Sequence, residues 1–214
     1  MAWFTRFTRF GDMHIVYGQE HGMSCGLASV MMCVFKVNKL TPGKTAITTE
    51  EEIRKKYQTL LGSNYNSEQV GTYPTLLASI LTSFTPGTWR WQQLQPNAVT
   101  AKLIAKVGVT GGIGPVVDVE PVILGVDWDL GGAHWVVVDT IRSPFFSKYA
   151  TVNDPWDANV HMQEISDTGP FTYKAGEGGF SIDGWDSSIA ESRKQKYDNT
   201  SKGMVKTWGM ICRD

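Results

Sequence analysis

The chain has 214 residues, 42% hydrophobic and 11% aromatic, enough to bury the core of one large domain and unlike a disordered segment. Its 20 basic and 21 acidic side chains leave a formal charge of −1, so there is no positive field to hold a phosphate backbone and a nucleic-acid partner is not expected. Apolar runs such as 30–35 and 135–138 are too short to span a bilayer, which excludes a membrane role of that kind.

Residues 1–18 read as extended, with alternation in Phe4-Thr5-Arg6-Phe7 and a short strand over 14–17. The arginine-interleaved start does not resemble a signal peptide, so synthesis in a cytosol is expected, with any export by a specialised route. A polar, glycine-punctuated loop, Gln19 to Ser24, then leads into an apolar run that predicts a buried helix from Cys25 to Val37. Thr49-Glu50-Glu51-Glu52 is a capping box, and Ile53, Tyr57, Leu60 and Leu61 line one face of the helix it opens, with Gly62 as its stop. Pro74 suits the first turn of a third helix carrying Leu76, Leu77, Ile80, Leu81 and Phe84. A strand follows over 88–94, then a short helix from Ala98 to Val107 capped by Asn97, then a glycine-rich break over 108–114. Strands are expected over 122–128, 134–141 and 149–153, and a last one over 204–213. Residues 157–203 read as long loops around weak strands. Helices first and an antiparallel sheet later give an α+β order within one domain, a helical part over about 19–107 and a sheet part over about 115–214.

Three cysteines, with no Cys-x-x-Cys and no histidine at ligand spacing, predict neither a disulfide framework nor a structural zinc site, and no cofactor motif is present. Cys33 lies mid-helix among Met31, Met32, Val34 and Phe35, and Cys212 falls in the last strand; both read as packing residues. Cys25 differs, because a helix N-terminus presents the positive end of the macrodipole, which favours a thiolate. Six residues upstream, Gln19 offers a side-chain amide to a developing oxyanion. A cysteine nucleophile also needs a base and an orienting group. His134 opens a strand, and Asn153-Asp154 closes the next. A hairpin centred near Pro144 sets residue 134 opposite residue 154. Adjacent side chains point to opposite faces, so only one of Asn153 and Asp154 faces His134. Ser24 within Gly22-Met23-Ser24-Cys25-Gly26 fits a nucleophile elbow, but too few residues precede it for the strands that such a fold requires. His14, His21 and His161 read as non-catalytic, with His21 close enough to the loop to touch substrate.

Gln19, Cys25-Gly26, a strand-borne His134 followed by aliphatic residues, and Asp154-Pro155 together resemble the papain-like cysteine peptidases. The closest likeness is to the compact bacterial peptidases that process double-glycine leaders, and to their free-standing effector or toxin relatives. Gly71-Thr72-Tyr73-Pro74 resembles the glycine-led second helix of that group, so the likeness spans roughly residues 14–156. It implies Cys25 as nucleophile, His134 as base and acid, Asp154 as third member with Asn153 the alternative, Gln19 in the oxyanion hole, and Trp156 as a shield of the His134–Asp154 pair from water. Proteolysis of a protein or peptide substrate is the implied activity, and an immunity or inhibitor protein the implied partner. Glutamine deamidases, transglutaminase-like enzymes and cell-wall amidases use the same residues, and an inactive papain-like binding module is the non-enzymatic rival. The residues after Asp154 match nothing in the family pattern.

Overall fold

The computed structural model describes residues 3–45, 48–111, 120–129, 131–144, 146–174, 179–180 and 202–214. Two strands, β1 (Trp3–Thr8) and β2 (Met13–Tyr17), pair antiparallel, and β1 also pairs with β10 (Gly179–Phe180). Helix α1 (Cys25–Lys39) follows. Almost every side chain from Cys25 to Val34 is buried, as expected of a helix apolar all round. Helix α2 (Glu50–Leu61) has both hydrogen bonds of its capping box and stops at Gly62. Helix α3 (Pro74–Phe84) starts on its proline.

Strand β3 (Trp89–Gln92) leads through a single tight turn to α4 (Val99–Val107). Asn97 does not cap α4 with its side chain. Gly169 takes that place across the fold, its carbonyl accepting from the Thr100 N–H and the Thr100 hydroxyl. After the short β4 (Thr110–Gly111) come β5 (Val122–Trp128), β6 (Ala133–Ser143), β7 (Lys148–Asp154), β8 (Asn159–Ile165), β9 (Thr172–Lys174) and β11 (Lys202–Arg213). The glycine-rich segment expected to separate two parts falls mostly on 112–119, outside the described residues, as do 175–178 and 181–201 of the expected loop region.

The main sheet runs β3-β11-β5-β6-β7-β8 and is antiparallel along that path, with β4 parallel beside β6 and β9 antiparallel to β11. The fold is therefore α+β. Alternation along the strands buries both faces. Trp135, Val137, Ile123 and Ile211 meet α1, α2 and α3; Val136, Val138, Leu124 and Val126 meet Val99, Leu103 and Val107 of α4. Two elements cross the expected division between helical and sheet parts: β3 joins the sheet and α4 covers its other face. The region read as weak loops supplies a full strand, β8, paired along its whole length with β7. The last strand is central, between β3 and β5, and bends at a bulge where Gly209 has φ of 70° with no room for a Cβ beside the Gln92 backbone. No helix among the described residues is long and apolar enough to cross a membrane.

A buried charged cluster joins the small sheet to the large one. Arg142 of β6 takes both oxygens of Asp12, while Asp139 meets His14 and Lys36. Asp139 occupies the β6 bulge, where the register against β7 shifts.

Candidate active site

Cys25 is the first residue of α1, is free, and is 8% exposed. The first N–H groups of a helix have no intrahelical acceptor, so that end of α1 offers donors and the positive dipole to the thiol. The preceding loop is braced from several sides. His21 N–H donates to Ser24 Oγ at 3.1 Å, and Glu68 accepts from Gly22 N–H at 3.1 Å and binds His21 Nδ1 at 2.7 Å. Glu20 N–H donates to the buried Glu50 carboxyl at 3.0 Å, and burial pushes that carboxyl up from its ordinary range. Ser24 is therefore committed to the loop, in keeping with a structural part.

His134 lies 5% exposed at the start of β6, and its Nε2 is 2.7 Å from Asp154 Oδ1. The expected pairing of residue 134 with 154 is out by two positions. Arg142 pairs with Tyr149 on the turn side, three positions off the expected register, and the one-residue bulge at Asp139 takes one back, so that Val138 pairs with Val152 and Val137 with Asn153. Continuing that register sets Asp154 across from Val136 and diagonal to His134. A slip of two keeps the face, and the diagonal is within reach of a long side chain. Asn153 points to the other face, its amide donating to the Val137 carbonyl at 3.2 Å, so the side chain bonded to His134 is that of Asp154.

Cys25 and the His134 ring line the same cleft, near enough for the thiol to act on the imidazole. With Nε2 taken by Asp154, Nδ1 is the nitrogen left for sulfur, the reverse of the serine-triad arrangement, in which Nδ1 faces the aspartate. Burial alone would lower the imidazole. The Asp154 charge and hydrogen bond, with the thiol adding, lift it to about 10. Burial alone would raise the Asp154 carboxyl. The His134 charge and hydrogen bond, the His161 charge and the Tyr173 hydroxyl outweigh it and hold the group below the usual carboxylate range. Trp156 contributes its backbone N–H to Asp154 Oδ1 at 2.8 Å, whereas the ring stacked on His134 is that of Trp128, at 5.9 Å and 21°.

Gln19 is fully buried, and its Nε2 donates to the carbonyls of His21 at 2.6 Å and Gly22 at 3.2 Å. Both amide hydrogens are thus committed to the loop ahead of Cys25, and Gln19 Nε2 reaches an oxyanion only by exchanging those partners. Its main-chain N–H donates to the Pro155 carbonyl at 2.8 Å, tying the loop to the turn after Asp154.

Cys25 and His134 open on one cleft of about 310 Å³, walled by Met23, Val70, Gly71, Thr72 and Tyr73 on one side and by 133–135 on the other. Val70 and Tyr73 are about half exposed at its rim, which suits a chain-like occupant more than an enclosed small molecule. Cys33 and Cys212 lie away from it, with burial pushing both thiols up. Asp154, Asp157 and His161 bring one ligand-type atom each to within 4.8 Å of one another, but these atoms are held in hydrogen bonds with protein groups. Sequence reasoning set His161 aside and passed over Tyr173; both stand against Asp154, and the only signal for His161 was alternation in 159–165, with none for Tyr173. The chain matches no protein-family model and no curated protein.

Proposed function

We propose that the chain is a thiol hydrolase of papain-like design that cleaves amide bonds in a protein or peptide. The observation that carries this reading is the grouping of Cys25, at a helix N-terminus, and His134 on one cleft, with the imidazole bonded at 2.7 Å to the buried Asp154 carboxylate. The Cys25 sulfur adds to the substrate carbonyl carbon, and the C=O electron pair moves to oxygen beside the N-terminal end of α1. The oxyanion collapses, the C–N bond breaks, and the proton on His134 goes to the leaving nitrogen. His134 then takes a proton from water, the resulting hydroxide oxygen attacks the thioester, and the C–S bond breaks. Asp154 keeps Nε2 protonated and the ring oriented throughout.

A comparison of protein N-termini in proteomes exposed to the wild-type protein or to Cys25→Ala tests this. New termini with wild type alone are expected. One-dalton mass gains on glutamine without new termini would replace proteolysis by deamidation, and the absence of both would refute hydrolysis at this site.

A further inference from the structure

Asp154 has a second side that the mechanism above leaves unused. Oδ1 faces His134, but Oδ2 accepts from the Tyr173 hydroxyl at 2.6 Å. Next to it on β8 stands His161, whose Nε2 is 2.8 Å from Asp157 Oδ2 and whose ring is 5.7 Å from that of Tyr173. Asp154 pairs with Asn159, so His161 is diagonal to it across β8 just as His134 is across β6. One carboxylate therefore sits between two histidines from the strands on either side. Asp154, Asp157, His161 and Tyr173 are all buried.

A buried carboxylate with no cation beside it is costly. During turnover His134 alternates between imidazolium and imidazole, so Asp154 repeatedly loses its nearest positive charge. The Tyr173 hydroxyl and the His161 ring stay in place through that step. Asp157 lifts the His161 imidazole above its ordinary value against its burial, which favours the charged form.

We propose that Tyr173 and the His161–Asp157 pair are positioning residues of this site, keeping the Asp154 carboxylate ionised and aimed at His134 while His134 is neutral. This rests on the thiol-hydrolase reading of Cys25. The groups that face Asp154 come from several elements: His134 from β6, His161 from β8 and Tyr173 from β9, with Asp157 acting through His161 and Cys25 through His134. Taking away a donor or a cation leaves Asp154 a more basic carboxylate. It then protonates at higher pH on the acid side and grips the His134 proton more tightly on the alkaline side, so both limits of activity move up.

The test is the pH dependence of carboxymethylation of Cys25 by iodoacetate, followed by mass spectrometry in wild type, Tyr173→Phe, His161→Gln and Asp157→Asn. Iodoacetate is anionic and reacts fastest where thiolate and imidazolium coexist, so wild type is expected to show a window bounded by two limbs. Each variant is expected to move that window up by about one pH unit. A lower rate at every pH with unmoved limbs would mean packing alone and would overturn the proposal. Tyr173→Phe removes a single oxygen, so its result decides the matter even if His161→Gln loses its near-ultraviolet dichroism. A wild-type Cys25 with no window, labelled no faster than Cys33 or Cys212, would instead refute the thiol-hydrolase reading itself.

Discussion

Replacing Gly26 by alanine should separate catalysis from stability. Gly26 is the second residue of α1, and in an exposed helix interior the change would stabilise by about 1 kcal/mol. Here the new methyl would fall well inside contact with Thr72 Oγ1, and would lie 2.9 Å from Leu77 Cδ1 and 3.0 Å from Trp135 Cδ1. These neighbours are buried, and two carry the site: Thr72 walls the cleft and Trp135 follows His134 on β6. Overpacking of this kind costs about 1–3 kcal/mol, so the propensity gain leaves a net loss of about 1 kcal/mol. Relief requires the helix start to part from 72 and 135 by about 1 Å, and a misplacement of that size at reacting atoms lowers rates on the order of 100-fold. The assay pairs urea denaturation with the rate of Cys25 alkylation and, once a cleaved substrate is identified, with kcat/KM. A folded Gly26→Ala protein with the wild-type rate would refute the argument that this contact sets the distance from thiol to imidazole.

Asp154→Asn removes the charge that lifts His134, so the alkaline limb of activity should fall from near pH 10 toward the ordinary histidine range, with kcat lower by on the order of 10⁴-fold. Because the folded-state value is raised, the proton on His134 contributes its full stability below about pH 6.5 and loses it as pH rises toward 10. The difference in urea midpoint between wild type and Asp154→Asn should therefore shrink across that interval; a constant difference would contradict the coupling. Ser24→Ala should keep activity within about tenfold while Cys25→Ala abolishes it, since Ser24 Oγ only braces His21, and a dead Ser24→Ala protein that folds would reopen the serine as nucleophile. Lys36→Met should destabilise by about 3–5 kcal/mol in chemical denaturation, because it leaves the buried Asp139 carboxylate with an imidazole in place of an ammonium. A loss under about 1 kcal/mol would show that the pair is solvated.

How much of this could be read from the chain depended on how local each signal was. Cys25, His134 and Asp154 each carried their own mark: a glycine beside a helix start, the head of an aliphatic strand, an aspartate before a proline. Their assembly also tolerated error, since a register wrong by two leaves every side chain on its face. The amide of Gln19 was harder, because its direction depends on where the carbonyls of 21 and 22 fall once the loop closes. His161 and Tyr173 were hidden by glycine and polar residues around them that imitate loop composition. The central position of β11 rests on pairing with β3 and β5, more than seventy residues away, which no local pattern records.

That position has a consequence for the order in which the sheet closes. Cys25 and its helix precede His134 by 109 residues in the sequence, and the strand that joins β3 to β5 follows later still. A nascent chain with β11 still inside the ribosome has its sheet in two unconnected pieces, one bearing α3 and β3, the other His134 and Asp154. The two pieces are then held together through the packing of α1 on β6 and α3 on α1, and the continuous sheet waits for residues 202–213. A chain truncated before residue 202 should accordingly lose the pairing of β3 with β5 through β11 and unfold at lower urea than the full chain, while Cys25 stays in its helix.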